Sequence, residues 1–506
     1  SRNSLTTLFL VHLLLPLFIV LFVAAFISIK VLYIKAGRER LTHVSGAMLL
    51  RNKAAIVDSC KNLKKELLND TSGAGIFLHP KVRITKRREL GNVFVFGQQG
   101  SGKSVVIKPL LKRIIDRKDH AIIYDEKREY TELFLDNETC LLSPTDERSI
   151  VWNPSLDIVN EENAKLLAEC LIDTKDDFWT RGAKLIVTGC LICLLKQGEP
   201  WGWVHLRELM IKPEKELIEL FGRHCPSIAK LIVEDSKTTQ GFVMIIETQL
   251  DWLDVVAKAW PDSHKSKFSI SSFVRGKSDY KRIIIPHDPL YASIANPLCN
   301  AVIELSVQHL LALPDSDNRR LWYVLDELGN LKKNNSILKL LTLGRSKGSR
   351  VIAGVQSISQ LHKTYGRDDA ETMLSLFSNL ICLRLGAAGE SAKKASELFG
   401  ERIIGLPADS IDNRGNRSTT YSETKENVVS VNQITQLRQS DGKSVAGFLS
   451  VSGWGNVYFL NWPVIDLPKV AAEYLPAKWL QVPVRKVRYK EGKQARRGSR
   501  GRGASC

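Results

Sequence analysis

Apolar and polar positions divide the chain into four stretches of different pattern. At the start, "LTTLFLVHLLLPLFIVLFVAAFISI" lies in a run without formal charge between Arg2 and Lys30. It exceeds the roughly 20 apolar residues that cross a bilayer, and a secretory signal would have a shorter core and a small-residue cleavage site. This predicts a transmembrane anchor over residues 1–35. From residue 92, the β-branched and aromatic runs "NVFVF" and "HAIIYDEK" flank the helix-compatible "VVIKPLLKRIID", an order that starts a parallel α/β sheet. Pro109 predicts a kink or restart in that helix. From Glu161 to Ala259 strand character disappears, and "EENAKLLAECLI", "RGAKLIVTGCLICLLK", "PEKELIELFG" and "TTQGFVMIIETQLDWLDVVAKAW" place apolar residues at three- and four-residue spacing. Strands return at "KRIIIP", "RLWYVLDE", "RVIAGVQ" and "LICLRLG", separated by helix-compatible stretches from near Ser336 and Asp368. Residues 403–462 read as a β-hairpin or flap followed by a last sheet edge.

Composition changes this picture in three ways. The 506 residues, 44% hydrophobic and 25% charged, make a globular chain with material for two or three domains. Nine cysteines scattered through apolar segments fit reduced thiols rather than a disulfide framework, and the pair Cys190 and Cys193 reads as core packing. Lys30, Lys35, Arg38 and Arg40 follow the apolar span against the single Arg2 before it, which puts the bulk of the chain on the cytoplasmic side of an inner membrane. The net charge of +18 suits polyanions or anionic lipid. Two basic clusters stand out, "KVRITKRREL" and the terminal "VRKVRYKEGKQARRGSRGRGASC". The second reads as a disordered tail, either a contact for nucleic acid or a partner or a plain solubilising segment.

Candidate chemistry begins at "GQQGSGKS". Gly97, Gln98, Gln99, Gly100, Ser101, Gly102, Lys103 and Ser104 form the P-loop pattern straight after a strand. The glycines let backbone N–H groups turn toward phosphate oxygens, Lys103 would reach the β and γ phosphates of ATP, and Ser104 would hold Mg²⁺. In "LWYVLDELGNL", Asp326 and Glu327 end an apolar strand, at the edge where α/β sheets bind ligands. Asp326 would complete the Mg²⁺ shell and Glu327 would polarise the attacking water. Gln356 ends "RVIAGVQ", where its amide would contact the γ-phosphate or the water. Arg345 lies in the glycine-bounded turn of "LLTLGRSKGSR", and a guanidinium there would serve as an arginine finger or as a plain surface charge.

"GQQGSGKS", "VLDELGNLKKNNSILKLLTLGRSKGSRVIAGVQSISQL" and "YGRDDAETMLSLFSNLICLRL" together resemble the coupling-protein family of type IV secretion and conjugation systems, the TraD/TraG type. The resemblance covers roughly residues 35 to 465. It implies an α/β, RecA-like P-loop nucleotide-binding domain split by an all-α insert domain, with an N-terminal transmembrane helix. The boundaries expected are an anchor over 1–35, the first part of the nucleotide-binding domain over 36–155, the insert over 156–275, the second part over 276–480 and the basic tail over 481–506. It further implies a homo-hexamer around a central channel, in which Arg345 acts in trans and Gln356 senses the γ-phosphate. Such proteins usually carry two membrane helices as a hairpin, whereas the apolar stretch here is too short for two crossings. Ser1 is not a methionine, and the chain reads as a processed or truncated start.

These features lead to an ATPase that recruits a relaxase–DNA complex and drives it toward a type IV secretion channel. A secretion ATPase that energises protein export or assembly without gripping DNA is the alternative, and a membrane receptor using nucleotide only as a switch is a third. No zinc finger or basic zipper is recognisable, so DNA contact is expected to be largely sequence-independent and steeply salt dependent.

Overall fold

The protein is seen in a computed structural model that describes residues 22–24, 26, 42–172, 177–331, 333–388, 390–411 and 417–481, without the side chains of Thr42 and of residues 407–420. Most of the 1–35 anchor and residues 482–506 of the tail lie outside the described residues.

Fifteen strands are described. They are β1 (Thr42–Gly46), β2 (Leu49–Arg51), β3 (Ala74–His79), β4 (Val82–Thr85), β5 (Val93–Phe96), β6 (His120–Asp125), β7 (Thr139–Leu141), β8 (Arg282–Pro286), β9 (Leu321–Leu325), β10 (Ser349–Val355), β11 (Asn379–Cys382), β12 (Glu401–Ile411), β13 (Arg417–Asn427), β14 (Ser444–Val451) and β15 (Val457–Pro463). Ten of them form one mixed sheet in the order β2-β15-β14-β11-β5-β10-β9-β6-β8-β7, in which only β14 runs against the rest. β12 and β13 pair as a long hairpin beside β1, apart from the main sheet. The last edge expected at the C-terminus is itself covered, because β2 pairs with β15.

The apolar runs that predict strands are buried on both faces, as a parallel sheet requires. In β5, Val93 and Val95 join one hydrophobic cluster while Phe94 and Phe96 join the other. Between β7 and β8, which are parallel neighbours, every described element is helical, so this whole segment is one crossover. Its core merges with one face of the sheet in a single cluster that includes Trp152, Trp203, Trp252 and the buried Cys190 and Cys193.

The structure differs from the sequence expectation in three places. The helix Lys103–Asp116 runs through Pro109 without interruption. The expected single helix over 238–260 is two, Lys237–Gln249 and Trp252–Ala259, because the chain turns at Leu250 to bury it together with Trp252 and Leu253. The basic cluster ahead of the P-loop is largely structural. Val82 and Ile84 are buried in β4, Arg88 pairs with Glu66 at 2.6 Å, and Glu89 is fully buried between Arg117 (2.6 Å) and Arg350 (3.1 Å).

Candidate active site

β5 lies between β10 and β11, and the P-loop leaves its C-terminal end pinned to both neighbours. Gly97 N–H donates to the Val355 carbonyl (3.1 Å) and Gln98 N–H to the Arg384 carbonyl (2.9 Å). Gly100 and Gly102 adopt left-handed φ of 73° and 95°, which a side chain disfavours. At Gly102 a Cβ would also sit 2.5 Å from Val445 Cγ2. Gly102 caps the helix Lys103–Asp116 without any side-chain bond, so the first N–H groups of that helix remain available. Ser101 Oγ is buried with no partner among the described residues. Free N–H groups, a helix start and an orphaned hydroxyl within one turn form an anion cradle.

The opposite wall comes from β9. Asp326 and Glu327 follow its last residue, both buried. Lys103 Nζ lies 3.5 Å from Glu327 Oε2 and donates to the Gly97 carbonyl at 3.0 Å. Burial lowers the Lys103 pKa, opposed by the charges of Glu327 and Asp326. Burial likewise raises the pKa of Glu327, opposed by Lys103 and by hydrogen bonds from Gln356, and that of Asp326, opposed by a bond from Tyr130. Gln356, one residue past β10, donates its backbone N–H to Glu327 Oε1 at 3.0 Å. Gly354 is needed beside this pair, since a Cβ there would lie 2.1 Å from the Asp326 carbonyl oxygen.

Thus the fold brings Gly97 to Ser104, Asp326, Glu327 and Gln356 to one edge of the sheet. It does not bring Arg345 there. Arg345 is exposed in the turn before β10, beside Gly91 and Ser378, which precede β5 and β11. It therefore lies at the N-terminal edge of the sheet, a full strand length from the P-loop of its own chain.

Two further residues join the site through β6. Tyr130 donates its hydroxyl to Asp326 Oδ1 at 2.9 Å. Burial would raise the pKa of Glu129, but its pairing with Lys108 at 2.7 Å, the charge of Lys127 and the nearby Ser104 hydroxyl together lower it. The place of Glu129 and Tyr130 just past the strand "HAIIYDEK" becomes a signal only once β6 and β9 are seen to be parallel neighbours that end at the same edge.

The donor set fits a magnesium nucleotide: a hydroxyl at Ser104 and carboxylates at Asp326 and Glu129 face an anion cradle that ends in an ammonium.

The sequence profile of the family described as "Type IV secretion-system coupling protein DNA-binding domain" matches residues 77–452. The coupling protein TraD of Escherichia coli (strain K12) is 24% identical over 436 residues, which are 83% of this chain and 59% of TraD. The chain therefore spans about three-fifths of the length of that relative. Among solved structures, the unbound bacterial conjugative coupling protein TrwBdeltaN70 superposes with a TM-score of 0.72 at 21% identity, covering 86% of this chain and 96% of that one. The plasmid coupling protein TrwB in complex with ADP and Mg²⁺ gives 0.68 at 20% identity, covering 86% and 98%. These likenesses establish a shared α/β fold around a central mixed sheet. With the profile spanning well over half of its residues, the chain belongs to the type IV secretion-system coupling protein family, through that family's DNA-binding domain.

Proposed function

We propose that this chain is a membrane-anchored ATPase that couples a relaxase–DNA complex to a type IV secretion channel and pumps DNA during conjugative transfer. In this reading a RecA-like nucleotide-binding domain comprises residues 36–155 and 276–480 and carries the helical residues 156–275. It works as a homo-hexamer, anchored in the bacterial inner membrane with its motor in the cytoplasm. The observation that carries the reading is the meeting of the P-loop, Asp326, Glu327 and Gln356 at one sheet edge in a member of the coupling-protein family. The TrwB structures solved with ADP and Mg²⁺ and with an ATP analogue support nucleotide as the ligand.

Backbone N–H groups from Gly97 to Ser104 would hold the phosphates, and Ser104 and Asp326, with Glu129 behind them, would hold Mg²⁺. The ion supplies charge neutralisation of the phosphate oxygens when bound. Lys103 leaves the Gly97 carbonyl to lie along the β and γ phosphates. Glu327, oriented by the Gln356 N–H, takes a proton from the attacking water. Gln356 links the occupied site to β10, whose other end enters the turn that carries Arg345. The +18 charge, with no sequence-reading module, supports DNA gripped through its phosphates.

The test is ATP hydrolysis by the full chain in detergent, measured against protein concentration with and without DNA. Turnover that rises with concentration and again with DNA is expected. Cooperative turnover indifferent to DNA would favour the export ATPase, and no turnover would leave only a nucleotide switch.

A further inference from the structure

A second charged concavity opens at the N-terminal edge of the sheet, away from the P-loop. Its volume is about 410 Å³. Three segments meet there: Arg117 to His120, which enter β6; Asn318 to Leu321, which enter β9; and Val274 to Gly276, which leave the last helix of the helical segment. Five of its lining residues are Lys or Arg, and Asp119 is its one carboxylate.

Not all of that charge is free. Asp119 is buried, accepts from Trp322 Nε1 at 3.0 Å, and pairs with Arg117 and, at 3.4 Å, with Arg320. Arg117 is further held by Glu89, and Arg319 donates to the carbonyls of Pro314 and Lys347. Lys118 and Arg275 are exposed and have no side-chain partner among the described residues, while Arg320 keeps only its long contact with Asp119. His120 Nε2 is buried and without a partner there as well. An unspent cationic pair with a recessed ring nitrogen behind it suits an anion that enters the cleft.

We infer that this cleft binds the phosphodiester backbone of nucleic acid, with Lys118 and Arg275 as its principal contacts. Apart from His120, no aromatic ring among the described residues lines the cleft, so none of them would stack a base or hold a free nucleotide by its ring. Phosphate contact alone gives binding without sequence preference. A membrane surface is a poorer fit, because Arg117 and His120 are recessed beyond the reach of a flat layer of headgroups. The site rests on the reading of the chain as a DNA motor and names a place where DNA is held. The contact also spans two parts of the molecule, since Arg275 lies where the helical segment returns to the sheet and Lys118 lies at the entry to β6.

The experiment is fluorescence anisotropy with one labelled oligonucleotide, as a single strand and as a duplex, bound by the full-length protein in detergent. The variant is Lys118→Ala with Arg275→Ala, and the control is Lys237→Ala with Lys258→Ala, which removes the same charge from exposed positions of the helical segment. Two lost phosphate contacts change the log–log salt slope by about 1.8 for duplex and about 1.4 for single strands, so the affinity advantage of wild type should shrink about 12-fold or 7-fold as salt rises from about 50 to 200 mM. The control should keep the wild-type slope, and basal ATPase should be unchanged in both variants. Wild-type affinity and slope in the cleft variant, or the same loss in the control, overturn the assignment while leaving the DNA motor standing. A cleft variant that loses only assembly, or only binding to anionic lipid vesicles, with DNA affinity intact, overturns it too. Wild-type protein that binds no DNA overturns both the cleft and the motor.

Discussion

Replacing Arg345 by alanine should leave nucleotide binding close to normal and nearly abolish turnover, for a reason that lies in the sheet. β10 separates the Arg345 turn from Gln356, and its seven residues span about 23 Å at 3.3 Å per residue. That is several times the reach of an arginine side chain, so Arg345 cannot touch phosphates held by its own P-loop. An exposed guanidinium with no side-chain partner among the described residues is free to enter a neighbour's site. Arginine fingers contribute roughly 10³ to 10⁵ in rate, which corresponds to about 4 to 7 kcal/mol of barrier at 1.36 kcal/mol per decade. Arg345→Lys should rescue little, because an ammonium lacks the planar fork. The assay mixes Arg345→Ala with Lys103→Ala, each inactive alone. In a head-to-tail ring every boundary joins one subunit's P-loop to the next subunit's finger, so about a quarter of the boundaries in an equal random mixture carry both intact. Activity near that fraction is expected. Mixtures that stay inactive while labelled subunits are seen to co-assemble would refute action in trans, and the geometry already excludes action in cis.

Lys103→Ala should lose both tight nucleotide binding and hydrolysis, measured by nucleotide fluorescence and phosphate release, since Lys103 is the cation of the loop itself and the one that pairs with Glu327 at 3.5 Å. Glu327→Gln should bind Mg-ATP at least as well as wild type and turn it over at least a hundredfold more slowly; wild-type turnover would move the water-orienting role elsewhere. Gly354→Ala should cost about 1 to 3 kcal/mol in thermal or denaturant unfolding, because its Cβ meets the Asp326 carbonyl at 2.1 Å, and should lower turnover by displacing Asp326 and Glu327. Burial, helped by Arg275, pushes the His309 pKa down to about 4, so the unfolded chain takes up a proton that the folded one refuses between pH 6.5 and 4. Stability from this group is present above pH 6.5 and is lost on acidification, by about 3 kcal/mol in full. The Asp157 carboxyl at 3.8 Å is pushed up to about 6, so between pH 6 and 4 the folded chain takes up a proton there that the unfolded chain does not, an opposing contribution that remains when His309 is replaced. His309→Gln should therefore lose less stability than wild type on acidification through that window, and parallel wild-type and variant curves would contradict it.

What the sequence makes legible here is what it encodes locally. "GQQGSGKS" and "LWYVLDE" name their residues because each is a strand running into polar residues at its end, and the structure brings the two to one edge of the sheet. Glu129 and Tyr130 were not legible, since their role depends on β6 lying next to β9, a neighbour relation between strands about 200 residues apart. Gly354 was hidden for the same reason: only the register of β10 against β9 shows what its missing Cβ avoids. β4 was misread as a basic cluster although Val82 and Ile84 alternate with Lys81 and Arg83, a two-residue period that a count of charges obscures. The position of Arg345 shows the limit most plainly. Its turn is evident from the glycines, but which edge of the sheet it occupies follows only from strand direction.

The Lys103–Glu327 pair connects binding to chemistry. Taken singly, burial would discharge both groups, pushing the ammonium down and the carboxyl up. At 3.5 Å their attraction is on the order of 5 kcal/mol for an effective dielectric of 20, enough to hold both charged. Phosphates arriving at the P-loop compete for the same ammonium, and as Lys103 turns toward them Glu327 loses the charge that stabilised its ionised form. Burial and the neighbouring Asp326 remain, and both favour its protonated form. Its affinity for a proton should therefore rise when nucleotide binds, which makes it a stronger base toward water in the loaded site than in the empty one. The acid limb of turnover at saturating ATP should then lie at higher pH than the acid limb of kcat/KM, which reports the free enzyme. The reverse order would mean that Lys103 stays with Glu327 throughout and that the carboxylate is held by its cation rather than released to act.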